Sequence, residues 1–65
     1  MKRWKKFKEN AFFRSDGAYA GKDHTKRNKT FICLAPYLDP DGTIIEYRGF
    51  KTIEAAMKKA DSIWS

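Results

Sequence analysis

The stretch that decides the fold runs from Lys29 to Trp64 and reads KTFICLAPYLDPDGTIIEYRGFKTIEAAMKKADSIW. Its first part, Lys29–Tyr37, predicts a strand with apolar groups on both faces. One face carries Phe31, Cys33, Ala35 and Tyr37, and the other carries Ile32 and Leu34. Asp39–Gly42 predicts a turn, because Pro fixes φ and Gly permits a positive φ. Thr43–Arg48 is β-branched and predicts the returning strand.

A C-terminal helix completes this stretch. Thr52 is a good N-cap, and Glu54 lies in the first turn, where an acidic side chain is favourable. Apolar residues then recur at spacings of three and four, at Ile53, Ala56, Met57, Ala60, Ile63 and Trp64. A helix with one apolar stripe covers one face of a sheet and leaves the other face open. Trp64 either closes the edge of the core or presents an exposed anchor to a partner.

The residues upstream of Lys29 predict a hairpin and an arm. Asn10–Arg14 and Ala18–Ala20 read as two short strands around the turn at 15–17, and Gly21–Asn28 reads as a polar, basic loop. Residues 1–9 read as a helical or irregular basic arm, followed by a single domain at 10–65. The predicted fold is α+β, an antiparallel three- to four-stranded sheet with one C-terminal helix packed on one face.

Length and composition place limits on the class of protein. A chain of 65 residues makes at most one domain, and its 15% aromatic content supplies the bulk of a small core. Cys33 is the only cysteine, so an intrachain disulfide is impossible and a reducing compartment is favoured. No apolar run approaches eighteen residues. We therefore expect a soluble cytoplasmic protein without membrane contact, while its oligomeric state stays open.

The charge is unevenly distributed along the chain. Residues 1–30 carry ten Lys or Arg against three Asp or Glu, whereas residues 31–65 carry four against five. A molecule with a strongly positive half attracts polyanions before any specific contact forms, and nucleic acid is the commonest of these. The sequence therefore favours a nucleic-acid partner, DNA rather than RNA.

Two basic clusters carry this charge. The first is the segment Lys2–Lys8, and the second comprises Lys22, His24, Lys26, Arg27 and Lys29. Cations within them neutralise phosphates, and interleaved rings such as Trp4, Phe7 and Tyr19 stack on bases or wedge between them. The alternative is a solvated terminus with Trp4 and Phe7 docked on the sheet, and a loop tip that is charged only because it is exposed. The predicted nucleic-acid-binding residues are Lys2, Arg3, Trp4, Lys5, Lys6, Arg14, Tyr19, Lys22, Lys26, Arg27 and Lys29.

The residues that carry chemistry in other proteins are sparse here. His24 is the only histidine, and only Asp23 is near it, whereas metal sites need several convergent ligands. Asp39 and Asp41 read as turn formers rather than half of a calcium loop. Cys33 reads as a core thiol. We expect no enzymatic activity, no metal and no cofactor.

Two segments resemble known families. Asp39–Gly42 and the run GFKTIEAA at 49–56 are similar to the end of the plant ethylene-response-factor DNA-binding domain, which has three strands and a helix, as do the arm-site-binding domains of some tyrosine recombinases. The pattern F-R-S-D-G-x-Y followed by G-F-K-T-x-x-E-A resembles small phage and prophage proteins over residues 12–60. In the plant family the sheet enters the major groove through Arg and Trp. Because the strand Phe31–Tyr37 has neither residue, the resemblance implies the fold rather than that contact.

Two hypotheses on function remain. The first is a small basic nucleic-acid-binding protein of phage or mobile-element origin that contacts the phosphate backbone through the open sheet face and both basic clusters. The second is a small phage-type effector that inhibits or redirects a host protein by docking on its acidic surface, with Trp64, Trp4 or Tyr37 as anchors.

Overall fold

Five strands and one helix follow one another along the chain. The computed structural model describes residues 3–24 and 29–64. All strands belong to one antiparallel sheet with the order β1-β2-β3-β4-β5, so each strand pairs with its sequence neighbour. The elements are β1 (Trp4–Lys8), β2 (Ala11–Arg14), β3 (Tyr19–Lys22), β4 (Phe31–Leu38), β5 (Ile44–Phe50) and α1 (Ile53–Ile63).

The α+β class and the C-terminal helix are confirmed, but the prediction of three to four strands is wrong. The additional strand is β1, which occupies the segment expected to be a helical or irregular arm. Its backbone pairs with β2, with Trp4 opposite Arg14 and Lys5 opposite Phe13. Exposed lysines are common on edge strands because they discourage pairing with other chains. β3 also extends to Lys22, inside the segment predicted as a loop.

The turns follow the predicted chemistry. Asn10 adopts a φ of 59° in the short β1–β2 connection, and Asn tolerates this left-handed conformation better than most residues. At the β4–β5 turn, the Gly42 amide donates to the Asp39 carbonyl at 2.8 Å, and the Thr43 amide donates to Oδ1 of Asp41 at 3.0 Å. The Thr43 hydroxyl also donates to this carboxylate and lowers the pKa of Asp41. Both aspartates therefore act as turn formers.

The core lies between α1 and the face formed by β3, β4 and β5. Its buried members are mostly small, which lets the helix approach the sheet closely: Ala20, Cys33, Ala56, Ala60 and Trp64. The Thr52 hydroxyl accepts a hydrogen bond from the Ala55 amide at 3.1 Å, as its N-cap position predicts. Trp64 is 7% exposed and its ring lies 5.8 Å from that of Tyr47, so it closes the core and is not an exposed anchor.

Burial makes the Cys33 thiol a poor nucleophile. Removal from water raises its pKa above the ordinary 9.0, against smaller opposing effects of the Tyr47 backbone and Lys59. We expect a disulfide reagent to modify the native protein much more slowly than the urea-unfolded chain at pH 8. Because the folded thiol holds its proton more tightly than the unfolded one, the free energy of unfolding should fall as pH rises above 9.0. Equal modification rates in the two states would contradict this assignment.

Candidate nucleic-acid interface

The face of the sheet opposite α1 is called the open face below. Its residues follow from the strand register and the alternation of side chains. One row crosses all five strands through Lys5, Phe13, Tyr19, Leu34 and Glu46. A second, shorter row lies two residues further along the strands and contains Ala11, Gly21 and Ile32. The open face includes Lys5, Phe7, Lys8, Ala11, Phe13, Tyr19, Gly21, Ile32, Leu34, Glu46 and Arg48.

Three aromatic rings from neighbouring strands form a continuous row on the open face. Phe7 meets Phe13 edge to face with ring centroids 5.7 Å apart, and Phe13 meets Tyr19 at 4.9 Å. Phe7 is 69% exposed and Phe13 is 42% exposed, although both are large apolar groups. Rings that pack on one another and still face solvent offer flat apolar surface to a ligand. This aromatic row is the most prominent feature of the face.

Gly21 lets Tyr19 lie close to the sheet. A Cβ placed on Gly21 would lie 2.8 Å from Cε2 of Tyr19, nearer than real side chains approach. The two residues are two positions apart on β3 and therefore share a face. Because Gly21 has no side chain, the Tyr19 ring can lie over its backbone. A larger residue at position 21 would displace this ring from the aromatic row.

The structure brings parts of the two basic clusters together. A cleft of about 440 Å³ at the end of β1, β2 and β3 is lined by Lys8 from the first cluster and by Lys22 and His24 from the second, with Tyr19 and Glu9 beside them. We call it the basic cleft. Lys5, Lys8 and Lys22 are exposed, and none of them forms an ion pair with a carboxylate in the described ranges 3–24 and 29–64. Their charges therefore face solvent.

Other predicted cations do not join this cleft. Lys6 is exposed but lies opposite Phe12, on the side of the sheet that faces the helix. Arg3 and Lys29 are exposed next to β1 and β4, outside the residues that line the cleft. The predictions for Lys2, Lys26 and Arg27 concern residues outside those that the structure describes.

Arg14 is a buried structural residue, so its assignment to the interface is wrong. It is 3% exposed, and its guanidinium meets the Asp16 carboxylate through two hydrogen bonds of 2.8 and 2.6 Å. It also donates to Asp61 at 3.1 Å and to the carbonyls of Ala60 and Trp64 at the end of α1. These hydrogen bonds, above all that to Asp16, raise its pKa. Arg14 thereby caps the helix and ties it to β2.

Trp4 is likewise engaged by the fold. Its Nε1 donates to the Asp61 carboxylate, with both oxygens 3.1 Å away, and the Arg14 guanidinium lies 5.8 Å from the centre of its ring. The ring packs partly buried against the core. Trp4 therefore lies on the helix side of the sheet, away from the open face, and the alternative that it docks on the sheet is the correct one.

At the β5 edge of the sheet, positive and negative side chains nearly balance. Arg48 on β5 donates to Asp23 at 2.9 Å and to both carboxylate oxygens of Glu46 at 2.9 and 3.0 Å. These hydrogen bonds, with Asp23 first, raise the pKa of Arg48. Unlike the exposed lysines of β1, this cation is balanced by acidic neighbours. The positive charge of the open face is therefore concentrated on the β1–β3 side.

Within residues 3–24 and 29–64, no group of three His, Cys, Asp or Glu side chains converges in a way that could hold a metal ion. In the same ranges, no helix has the length and apolar character needed to cross a membrane. His24 lies exposed beside the basic cleft.

The exposed rings of Phe7 and Phe13 and the cation of Lys8 belong to this surface but are not among the predicted site residues. Phe7 was expected only as a possible stacking ring, and Phe13 only as part of a strand. A period of two places Lys5 and Phe7 on one face of an extended segment, and this pattern was present in the sequence. The pattern indicates a shared face only if residues 4–8 form a strand, whereas the sequence predicts an arm there.

No family model, no curated protein and no solved structure matches the chain.

Proposed function

We propose that this chain is a small, non-enzymatic nucleic-acid-binding protein that contacts the phosphate backbone through the β1–β3 side of its open face. The observation that carries the proposal is the placement of cations around the aromatic row of Phe7, Phe13 and Tyr19. Lys5 lies opposite Phe13 on the open face, and Lys8 and Lys22 line the basic cleft at the strand ends, which Tyr19 also lines. Cations supply affinity for phosphates, and rings supply contacts to bases or sugars. The lone buried thiol favours the reducing cytoplasm as the compartment.

Electrostatics would supply most of the affinity. Each lysine that neutralises a phosphate releases condensed counterions, which makes binding steeply dependent on salt. The described lysines of the basic cleft and β1 come from two separate stretches of sequence, yet they border one surface. Base specificity should be slight, because the β1–β3 part of the open face carries lysines and rings rather than the Arg, Asn or Gln that read base edges.

A protein partner is the second candidate, and one observation favours it. Tyr37, Leu38 and Ile44 are exposed large apolar residues near the β4–β5 turn, and they line an apolar cleft of about 360 Å³ together with Phe13 and Tyr19. Exposed apolar surface of this kind is typical of protein interfaces. A host protein would then be held by this cleft and steered by the lysines. Buried Trp64 would not serve as an anchor.

Salt titration separates the two candidates. We expect fluorescence anisotropy to detect binding of mixed-sequence DNA and RNA oligonucleotides. Between about 50 and 200 mM salt, log K should fall against log salt with a slope of about −2 to −4, as three or four phosphate contacts require. An uncharged oligonucleotide analogue with the same bases should bind far more weakly. The absence of binding at the lowest salt would overturn the proposal and leave the protein partner as the candidate.

A further inference from the structure

The aromatic row and the apolar cleft form one path across the open face. The row begins at Phe7 on the edge strand and passes through Phe13 to Tyr19. Phe13 and Tyr19 also line the apolar cleft, together with Leu34 and Tyr37. A ligand that lies on the row therefore meets the cleft without leaving the face. The path has exposed rings at one end and a concave apolar site at the other.

Exposed lysines run beside the aromatic part of this path. Lys5 lies opposite Phe13, and Lys8 and Lys22 line the basic cleft next to Tyr19. Flat apolar surface alone would suit many ligands. Flat rings bordered by unpaired cations suit a chain that alternates planar rings with anionic groups, which is the chemistry of a polynucleotide. Charge complementarity thus selects the ligand class for this face.

Duplex nucleic acid does not expose the base faces that the aromatic rings of this path would contact. The faces of its bases are covered by stacking on their neighbours, and a ring on a protein surface reaches them only after a base has left the stack. The whole sheet is also too wide for the major groove. Five strands separated by about 4.8 Å span about 19 Å, whereas the groove is about 12 Å wide and admits a two-stranded ribbon.

We propose that the open face binds single-stranded nucleic acid, with successive bases stacked on Phe7 and Phe13 and an unstacked base held in the apolar cleft against Tyr19 and Tyr37. This inference rests on the proposed function and narrows its ligand to unpaired strands. Lys5, Lys8 and Lys22 contact the phosphates that link these bases. Because every base has a flat face and the cleft walls are chiefly apolar, the strand is bound with little preference for sequence.

The test compares a fluorescent single strand of mixed sequence with a hairpin duplex of the same sequence, each as DNA and as RNA. We expect the single strands to bind at least about tenfold more tightly than the duplexes, since stacking on even one ring contributes that much. Changing both Phe7→Leu and Phe13→Leu, which keeps apolar bulk, should weaken single-strand binding by about tenfold or more and leave duplex binding unchanged.

The matched control removes a ring of similar exposure from the other side of the sheet. Tyr47 is 44% exposed, against 42% for Phe13, and its ring contacts Trp64. Tyr47→Leu should therefore bind the single strand as the unaltered protein does. Far-UV circular dichroism of each variant checks that the sheet is retained.

The outcomes distinguish this inference from the proposed function. Equal or tighter binding of the duplex, or unchanged affinity after the Phe7→Leu and Phe13→Leu changes, would overturn the single-strand inference and leave nucleic-acid binding in place. If neither form binds, both proposals fail. Self-association in sedimentation that the two changes abolish, without oligonucleotide binding, would overturn both and assign a second copy of the chain to the face.

Discussion

Arg14→Met should abolish stable folding at room temperature. The guanidinium is buried, and its removal would take a charged donor away from the Asp16 carboxylate and from the last carbonyls of α1. Breaking a buried charge pair by removing one partner costs about 3–5 kcal/mol. A core in a chain of this size rarely supplies more than about 3–5 kcal/mol in total, so the expected loss equals the whole stability.

Urea denaturation followed by circular dichroism measures this effect. Lys6→Met is the matched control, because it removes an exposed cation from the neighbouring strand and should change the free energy of unfolding by no more than about 0.5 kcal/mol. Arg14→Lys should also be destabilised, since an ammonium group cannot form the paired contact with Asp16 and reach the helix carbonyls as well. A denaturation midpoint of Arg14→Met equal to that of the unaltered protein would contradict the structural role.

The elements that the sequence predicted well are those specified by local residue patterns. The period-two pattern of Phe31–Tyr37, the turn residues at 39–42 and the three-and-four spacing after Thr52 each indicate one element without reference to the rest of the chain. In the structure, β4, the following turn and α1 occupy those positions within one or two residues.

The strand β1 was missed because its stability does not come from its own pattern. All but one of its residues are exposed, and its order derives from pairing with β2. A short, charged segment of this kind looks like a solvated arm until its partner strand is in place. The bulge between Lys6 and Lys8 also changes which face the following side chains occupy, because a shift of one residue moves a side chain to the opposite face. The sequence does not reveal this bulge.

The error over Arg14 has a different cause. A count of charges treats every cation alike, whereas in the folded protein some cations are buried and paired and others are exposed. The groups that bury and pair Arg14 include Asp61 and the carbonyl of Trp64, which are 47 and 50 residues away along the chain. Only the tertiary structure joins them. The same fold leaves Lys5, Lys8 and Lys22 exposed around the aromatic row.

Changing Lys5, Lys8 and Lys22 together to Gln should reduce nucleic-acid affinity about a hundredfold at low salt. A charge pair at contact distance in water contributes about 1 kcal/mol, so three lost pairs amount to about 3 kcal/mol. The slope of log K against log salt should become shallower by about 2, because three fewer phosphates are neutralised. Stability should be retained, since these side chains are exposed.

The matched control removes the same charge from the other side of the molecule, through Lys51→Gln, Lys58→Gln and Lys59→Gln. These lysines are exposed on α1 and the segment before it. If affinity depended only on net charge, both triple variants would lose it equally, because each lowers the net charge from +6 to about +3. If the open face is the binding surface, only the first triple variant should lose both affinity and salt dependence. An equal loss in the two variants would therefore contradict a localised interface, and the salt slopes, measured by anisotropy on one oligonucleotide, decide between the two cases.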